Sequence, residues 1–196
     1  THSKLLMKSA RVSLGLLLSL ATFTAIAQTQ FTVSVPRELV EDSHPVSLEM
    51  IVFKPSGAGP FPTLVFNHGS TGLGKNPWVF SIAATNSVVA EFFNARGWLV
   101  VFPQRRGRGG SDGLYDEGFT RDRSRYSISP KRSLPGIERA MEDLDQVVKY
   151  LQDDPMVDED RMIVGGESRG GLLSIVYAGT RPDTFIGSVN FFVGWV

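Results

Sequence analysis

The sequence predicts an α/β fold, a mostly parallel sheet with helices on both faces, and three observations carry that expectation. A short, continuously apolar run at residues 63–66, another buried run at 98–102 and the stretch at 161–165, apolar after its opening Arg161, have the composition of strands buried on both sides; a sheet with one wet face would show alternation instead. Stretches of helical character, at residues 82–95, 137–151 and 172–178, stand between or after them. Glycine-rich turns follow the first and last runs directly, at Asn67-His68-Gly69-Ser70-Thr71-Gly72 and at Gly166-Glu167-Ser168-Arg169-Gly170. Strand, turn, helix, strand is the pattern of right-handed crossover units.

Taken in order, residues 1–27 carry Lys4, Lys8 and Arg11, then an apolar run from Val12 to Ala21, then Ala25-Ile26-Ala27 before Gln28. This is the basic, apolar and small-x-small organisation of a secretory signal peptide, so cleavage after Ala27 and a secreted or periplasmic destination are expected. Met7 followed by Lys8 would open a shorter signal than Thr1 does. The apolar run is shorter than the roughly 20 residues that span a bilayer, so no stable membrane span is expected after cleavage.

Residues 28–196 then form the domain. Residues 31–35 and 46–53, rich in β-branched and aromatic side chains and broken by Pro36 and Lys54-Pro55-Ser56-Gly57, read as an antiparallel edge pair. The strand at 63–66 follows Gly59-Pro60, the helix at 82–95 ends at Gly97, and the strand at 98–102 stops at Pro103.

Residues 104–135 are irregular, and an irregular stretch of that length inside a domain is usually functional or locally mobile. Their Arg105, Arg106, Arg108, Arg121, Arg123, Arg125, Lys131 and Arg132 are read as a solvated loop balanced by Asp112, Asp116, Glu117 and Asp122. Fork-like binding of an anionic substrate group is the alternative.

The helix at 137–151 is the clearest element. Ile137, Ala140, Met141, Leu144, Val147, Val148 and Leu151 share one face, and Glu138, Arg139, Glu142, Asp143, Asp145 and Lys149 share the polar one. Asp153-Asp154 and Asp158-Glu159-Asp160 read as a solvated connection to the strand at 161–165. A helix at 172–178 and a strand at 185–193 complete the order.

Composition removes several function classes. With 20 basic and 20 acidic residues the net charge is +0; loss of the three signal cations leaves the remainder mildly acidic, so no nucleic-acid partner is expected. Zero Cys excludes thiol nucleophiles and Cys-ligated metal. The three His are scattered, no metal-ligand spacing or phosphate-cradling lysine motif appears, and no cofactor is expected. Nothing in the sequence sets an oligomeric state.

Chemistry concentrates at Ser168. In G-x-S-x-G between strand and helix, the chain reverses so tightly that a side chain at either glycine would clash, and the serine is pushed out at the carboxyl edge of the sheet. The next backbone N–H, that of Arg169, opens a helix and points its dipole toward a developing oxyanion. The loop after residue 66 is placed to supply the other half of an oxyanion hole, with the Ser70 N–H as donor. His68 is read as ordering that loop and not as a catalytic base.

His68-Gly69-Ser70, Arg106-Gly107-Arg108-Gly109-Gly110-Ser111, the Asp160-Arg161 approach and Gly166-Glu167-Ser168-Arg169-Gly170-Gly171 together resemble the α/β-hydrolase superfamily, nearest to its dienelactone hydrolase and prolyl-oligopeptidase branch. The resemblance covers residues 46–196. It implies a serine hydrolase that acts on a small ester or peptide-like substrate, with Ser168 attacking the carbonyl and the N–H groups of Arg169 and Ser70 holding the oxyanion. The family places its acid and then its histidine after the nucleophile, whereas the residues after Ser168 include Asp183 as sole carboxylate and no His. The acid and base are therefore expected beyond Val196, with residues 28–196 as the front part of the domain and this chain alone inactive. A prolyl-oligopeptidase-type peptidase and a non-catalytic binding domain, or decayed hydrolase, are the alternatives.

Overall fold

The computed structural model describes residues 29–41, 44–72 and 74–192. The expected signal peptide and residue 193 of the expected last strand lie outside the described residues. Six strands form one sheet: β1 (Thr29–Glu41), β2 (His44–Lys54), β3 (Phe61–Asn67), β4 (Leu99–Pro103), β5 (Val157–Glu167) and β6 (Gly187–Phe191), in the spatial order β1-β2-β4-β3-β5-β6. β1 and β2 are antiparallel to each other, and β2 is antiparallel to β4. The remaining neighbours are parallel. The expected antiparallel edge and parallel centre are both present.

Three helices cover the sheet: α1 (Ser87–Asn94), α2 (Pro130–Gln152) and α3 (Arg169–Thr180). On one face Leu144, Val147, Val148 and Leu151 of α2 and Leu173 and Tyr177 of α3 pack on Leu48, Met50, Val65, Val101 and Val164. On the other, Val89 and Ala90 of α1 pack on Ile51, Leu64, Phe66, Val100 and Phe102. Alternate residues of β3 and β4 thus enter opposite cores, which is why those strands read as unbroken apolar runs. At eight residues α1 is too short to hold itself in water, where about 12–15 are needed, so this packing sustains it.

Several boundaries depart from the sequence reading. β1 does not break at Pro36 but runs on to Glu41, its pairing with β2 shifting register between Pro36 and Val40, and α3 opens at Arg169, three residues before the expected start. α1 begins at Ser87 and not near residue 82, because the Asn86 side chain accepts the Val89 N–H at 3.1 Å and caps the helix there. The segment before it is held by Gln104, whose amide accepts from the Ala84 N–H at 2.7 Å and donates to the Ala84 carbonyl at 2.9 Å. α2 begins at Pro130, inside what read as loop; a first-turn proline forgoes no helical hydrogen bond, and Pro135 sits one turn further in. Asp158-Glu159-Asp160 belong to β5, where pairing shifts register between Phe61↔Val157 and Thr63↔Met162 and leaves Glu159 and Asp160 exposed. The last strand starts at Gly187, later than the expected residue 185.

Candidate active site

The carboxyl ends of β3, β4 and β5 lie side by side in the sheet, so the segments that leave them meet along one edge. At β5 the turn into α3 places Ser168 at φ 51°, ψ −120°, a region that residues with a Cβ rarely occupy. Neighbours over-determine it. The Ser168 N–H donates to the Phe191 carbonyl of β6 at 3.0 Å, and the Ser168 carbonyl accepts from Leu172 at 3.2 Å. A Cβ on Gly166 would stand 2.5 Å from the Gly170 backbone, and one on Gly170 would stand 2.1 Å from the Asn67 carbonyl oxygen. No larger residue fits either position while the backbone keeps this path. Ser174 closes the turn from below: its hydroxyl lies 2.7 Å from the carbonyls of both Gly165 and Gly170 and accepts from Asn67 Nδ2 at 3.0 Å.

The loop after β3 reaches the same spot. A Cβ on Gly69 would lie 3.3 Å from the Ser168 Cβ, so the His68-Gly69-Ser70 segment adjoins the serine as the motif reading requires. Ser70 is exposed there, and Arg169 occupies the first turn of α3, where backbone N–H groups have no partner within the helix. The structure therefore brings together Ser168, the Arg169 backbone and the loop that carries Ser70. The Arg169 side chain is turned away from solvent: its Nη1 donates to the Glu117 carbonyl at 2.8 Å, and its guanidinium stacks 3.9 Å over the Tyr126 ring.

His68 is 5% exposed. Its Nδ1 lies 2.8 Å from the Gly69 carbonyl, a contact that needs the proton on Nδ1. The Arg105 Nη2 at 3.2 Å from Nδ1 then faces an N–H and forms no hydrogen bond with it. Burial, and after it the Arg105 charge, hold His68 well below the ordinary histidine pKa, so the ring is neutral. Its hydrogen bonds go to its own loop and not to Ser168, in keeping with an ordering role. Asp183, the sole carboxylate after the serine, is exposed in the connection between α3 and β6.

The arginine-rich stretch corrects the sequence reading. Arg105, Arg106, Arg108 and Glu117 are each at most 8% exposed, so these four members of the supposed solvated loop are interior. Arg105 pairs through Nε with Glu117 and donates from Nη1 and Nη2 to the His68 carbonyl at 3.1 and 3.0 Å. Burial, the largest single influence, opposes the Arg105 charge, but Glu117 and Tyr115 together outweigh it and raise the guanidinium above its usual pKa. Arg106 pairs with Asp143 at 2.8 Å, so Asp143, placed on the polar face of the helix by its period, is buried. Arg121, Arg125 and Asp122 are exposed, as a solvated loop would have them. One signal was available beforehand: Arg105 follows a parallel strand almost at once, and residues just past such carboxyl ends face the ligand crevice of open α/β sheets.

Among the described residues no group of three or more His, Asp or Glu is arranged to hold a metal ion, and no helix is long and apolar enough to cross a membrane.

A six-stranded sheet in this order, with a strained serine between its fifth strand and the following helix, defines the α/β-hydrolase class. The sequence pattern of the family described as Serine aminopeptidase, S33 matches residues 82–191, more than half of the chain, and the chain belongs to that family. No curated protein matches the sequence. Among solved structures, the chain is similar to an α/β-hydrolase from Penicillium sp. sh18, with TM-score 0.57 and 17% identity over 83% of this chain and 45% of that one. A protein of Klebsiella pneumoniae described as a dienelactone hydrolase gives TM-score 0.56 and 18% identity over 87% and 62%. Acetyl xylan esterase 1 of Thermoanaerobacterium sp. JW/SL YS485 gives 0.50 and 21% over 78% and 50%. At such identities the likeness is one of fold, and the chain spans 45% to 62% of the length of these three proteins.

Proposed function

We propose that this chain is the nucleophile-bearing part of an exported serine hydrolase that cleaves an ester or amide bond through an acyl-enzyme on Ser168. The observation that carries the reading is the Ser168 backbone: a serine at φ 51° between a parallel strand and a helix, tied by its neighbours on three sides, is held out of relaxed geometry at a sheet edge beside a glycine loop. In this reaction the Ser168 Oγ bonds to the substrate carbonyl carbon and gives its proton to a base. The oxyanion is held by the N–H groups of Arg169 and Ser70, and the leaving group departs with that proton as the acyl-enzyme forms. Water then attacks the acyl carbon by the reverse route and frees Ser168.

His68 is engaged elsewhere, so the proposal assigns the acid and the histidine base to polypeptide after Val196.

Labelling of the full-length protein by a fluorophosphonate tests this. Ser168→Ala is expected to abolish labelling and to lower ester turnover by on the order of 10⁴-fold or more. Labelling that survives Ser168→Ala, or a folded full-length protein that takes no label, overturns the reading in favour of a binding domain. Turnover of p-nitrophenyl esters against aminoacyl p-nitroanilides separates an esterase from the peptidase alternative. An N-terminus at Gln28 on protein collected outside the cytoplasm is the expected mark of export.

A further inference from the structure

We infer that Glu117 is a positioning residue for the oxyanion loop, acting through Arg105 and Arg169; this rests on the serine hydrolase reading above. Three observations converge on it. Glu117 binds Arg105 at Nε, and Nη1 and Nη2 of Arg105 both donate to the His68 carbonyl, in the peptide that leads into Gly69 and Ser70. The Glu117 backbone carbonyl takes the Arg169 side chain at 2.8 Å, so one residue joins the oxyanion loop to the first residue of α3.

Tyr126, from the same stretch of chain, stacks under Arg169. Its hydroxyl accepts the Thr71 N–H at 3.0 Å and lies 3.2 Å from the Thr71 carbonyl. The loop at 68–71 is thus clamped at both ends by residues that Glu117 or Arg169 touches.

Glu117 itself is fixed by a close approach. Gly136 of α2 lies so near that a Cβ there would stand 2.6 Å from the Glu117 carbonyl carbon. Glu117 is enclosed, 6% exposed, with Arg105 on its carboxylate, Arg169 on its backbone carbonyl and the neutral His68 ring beyond Arg105. A solvated acid would not be spent this way, since enclosing a carboxylate is costly unless it is paired. Its pairing with the one arginine that holds the His68 peptide links loop geometry to that charge. Oxyanion donors work only when held to within a fraction of an ångström, and misplacement by about 1 Å costs on the order of a hundredfold in rate.

The test is Glu117→Gln in the full-length protein, which keeps shape and an acceptor but removes the charge. Two readouts are taken together: the kcat and KM of an ester substrate, and amide hydrogen exchange of the segment at 67–72. The expected result is a fall in kcat of roughly 10- to 100-fold with KM changed less than about threefold, and exchange in 67–72 faster by about tenfold while β3 and β5 keep their protection. Should Glu117→Gln fail to fold, Tyr126→Phe releases the other clamp without altering charge and is expected to move the same two readouts by about threefold to tenfold.

Unchanged exchange at 67–72 and unchanged kcat, in a wild type that takes the fluorophosphonate label, overturn the positioning role and leave the hydrolase reading intact. A wild type that takes no label overturns both.

Discussion

Two stretches meet beside Ser168, and they are held in place by different physics. The turn at 165–171 is fixed by exclusion: Gly166 and Gly170 bring backbone against backbone at distances that leave no room for a methyl group, and Ser174 ties the remaining polar atoms together. The stretch at 104–129 is fixed by charge: Arg105 with Glu117 and Arg106 with Asp143 carry ions into the interior, where each tolerates burial only because its partner is there. The first device works by backbone contact, within the turn and against Asn67 and His68 at the end of β3. The second works through long side chains, which tie the stretch to itself and to α2.

That contrast sets a scale of effects. The largest is expected at the glycine turn. Gly170→Ala drives a Cβ into the Asn67 and His68 carbonyls, and a loss of roughly 3 kcal/mol or more in urea unfolding is expected, with Ser168 displaced from its φ 51° conformation. A loss under about 1 kcal/mol would show that the turn relaxes freely and is not fixed by exclusion.

Next, Arg106→Met takes the guanidinium from the buried Asp143, which still accepts the Arg106 N–H at 2.9 Å, and is expected to cost about 2–3 kcal/mol, whereas the double change Arg106→Met with Asp143→Leu should recover part of it. If the double variant is no better than the single one, the stretch is held by packing and the contrast with the glycine turn fails.

The smallest effect belongs to His68. Its folded pKa lies below the value of about 6.5 expected in the unfolded chain, so below that pH the unfolded state takes up a proton that the folded state refuses. Stability should therefore fall as pH drops from 6.5 toward 5, by at most about 1.4 kcal/mol per pH unit, and His68→Gln should flatten that part of the curve. A slope that survives the substitution would mean that His68 can charge in place and that its enclosure by Arg105 is looser than its burial implies.

The same contrast explains what could be read from the sequence. The strands of the sheet, the apolar face of α2 and the Gly166-to-Gly170 turn were legible because each follows from spacing within one short segment: buried strands make unbroken runs, buried helices repeat at 3.6, and a tight turn needs glycine at fixed offsets. The start of α1 at Ser87 was not, since Asn86 and Gln104 set it by side-chain hydrogen bonds that hydropathy does not register. The buried part of the arginine stretch was hidden for a related reason. Arg105 and Glu117 have the composition of a wet loop, and only the fold brings them under the His68 peptide. Asp143 shows the same failure on a helix: its position on the wheel is polar, but its partner arrives from elsewhere in the chain.

The bond from the Ser168 N–H to the Phe191 carbonyl gives the elbow a place in time as well as in space. Among the described residues β6 is the outermost parallel strand, and it pairs with β5 from Ile163↔Gly187 through Glu167↔Phe191, so the acceptor that holds the nucleophile comes from a strand translated after the nucleophile itself. A nascent chain halted before Gly187 carries Ser168 and both of its glycines but lacks the carbonyl that completes the turn. Wherever the chain folds, the turn around Ser168 is therefore complete only once β6 has docked on β5.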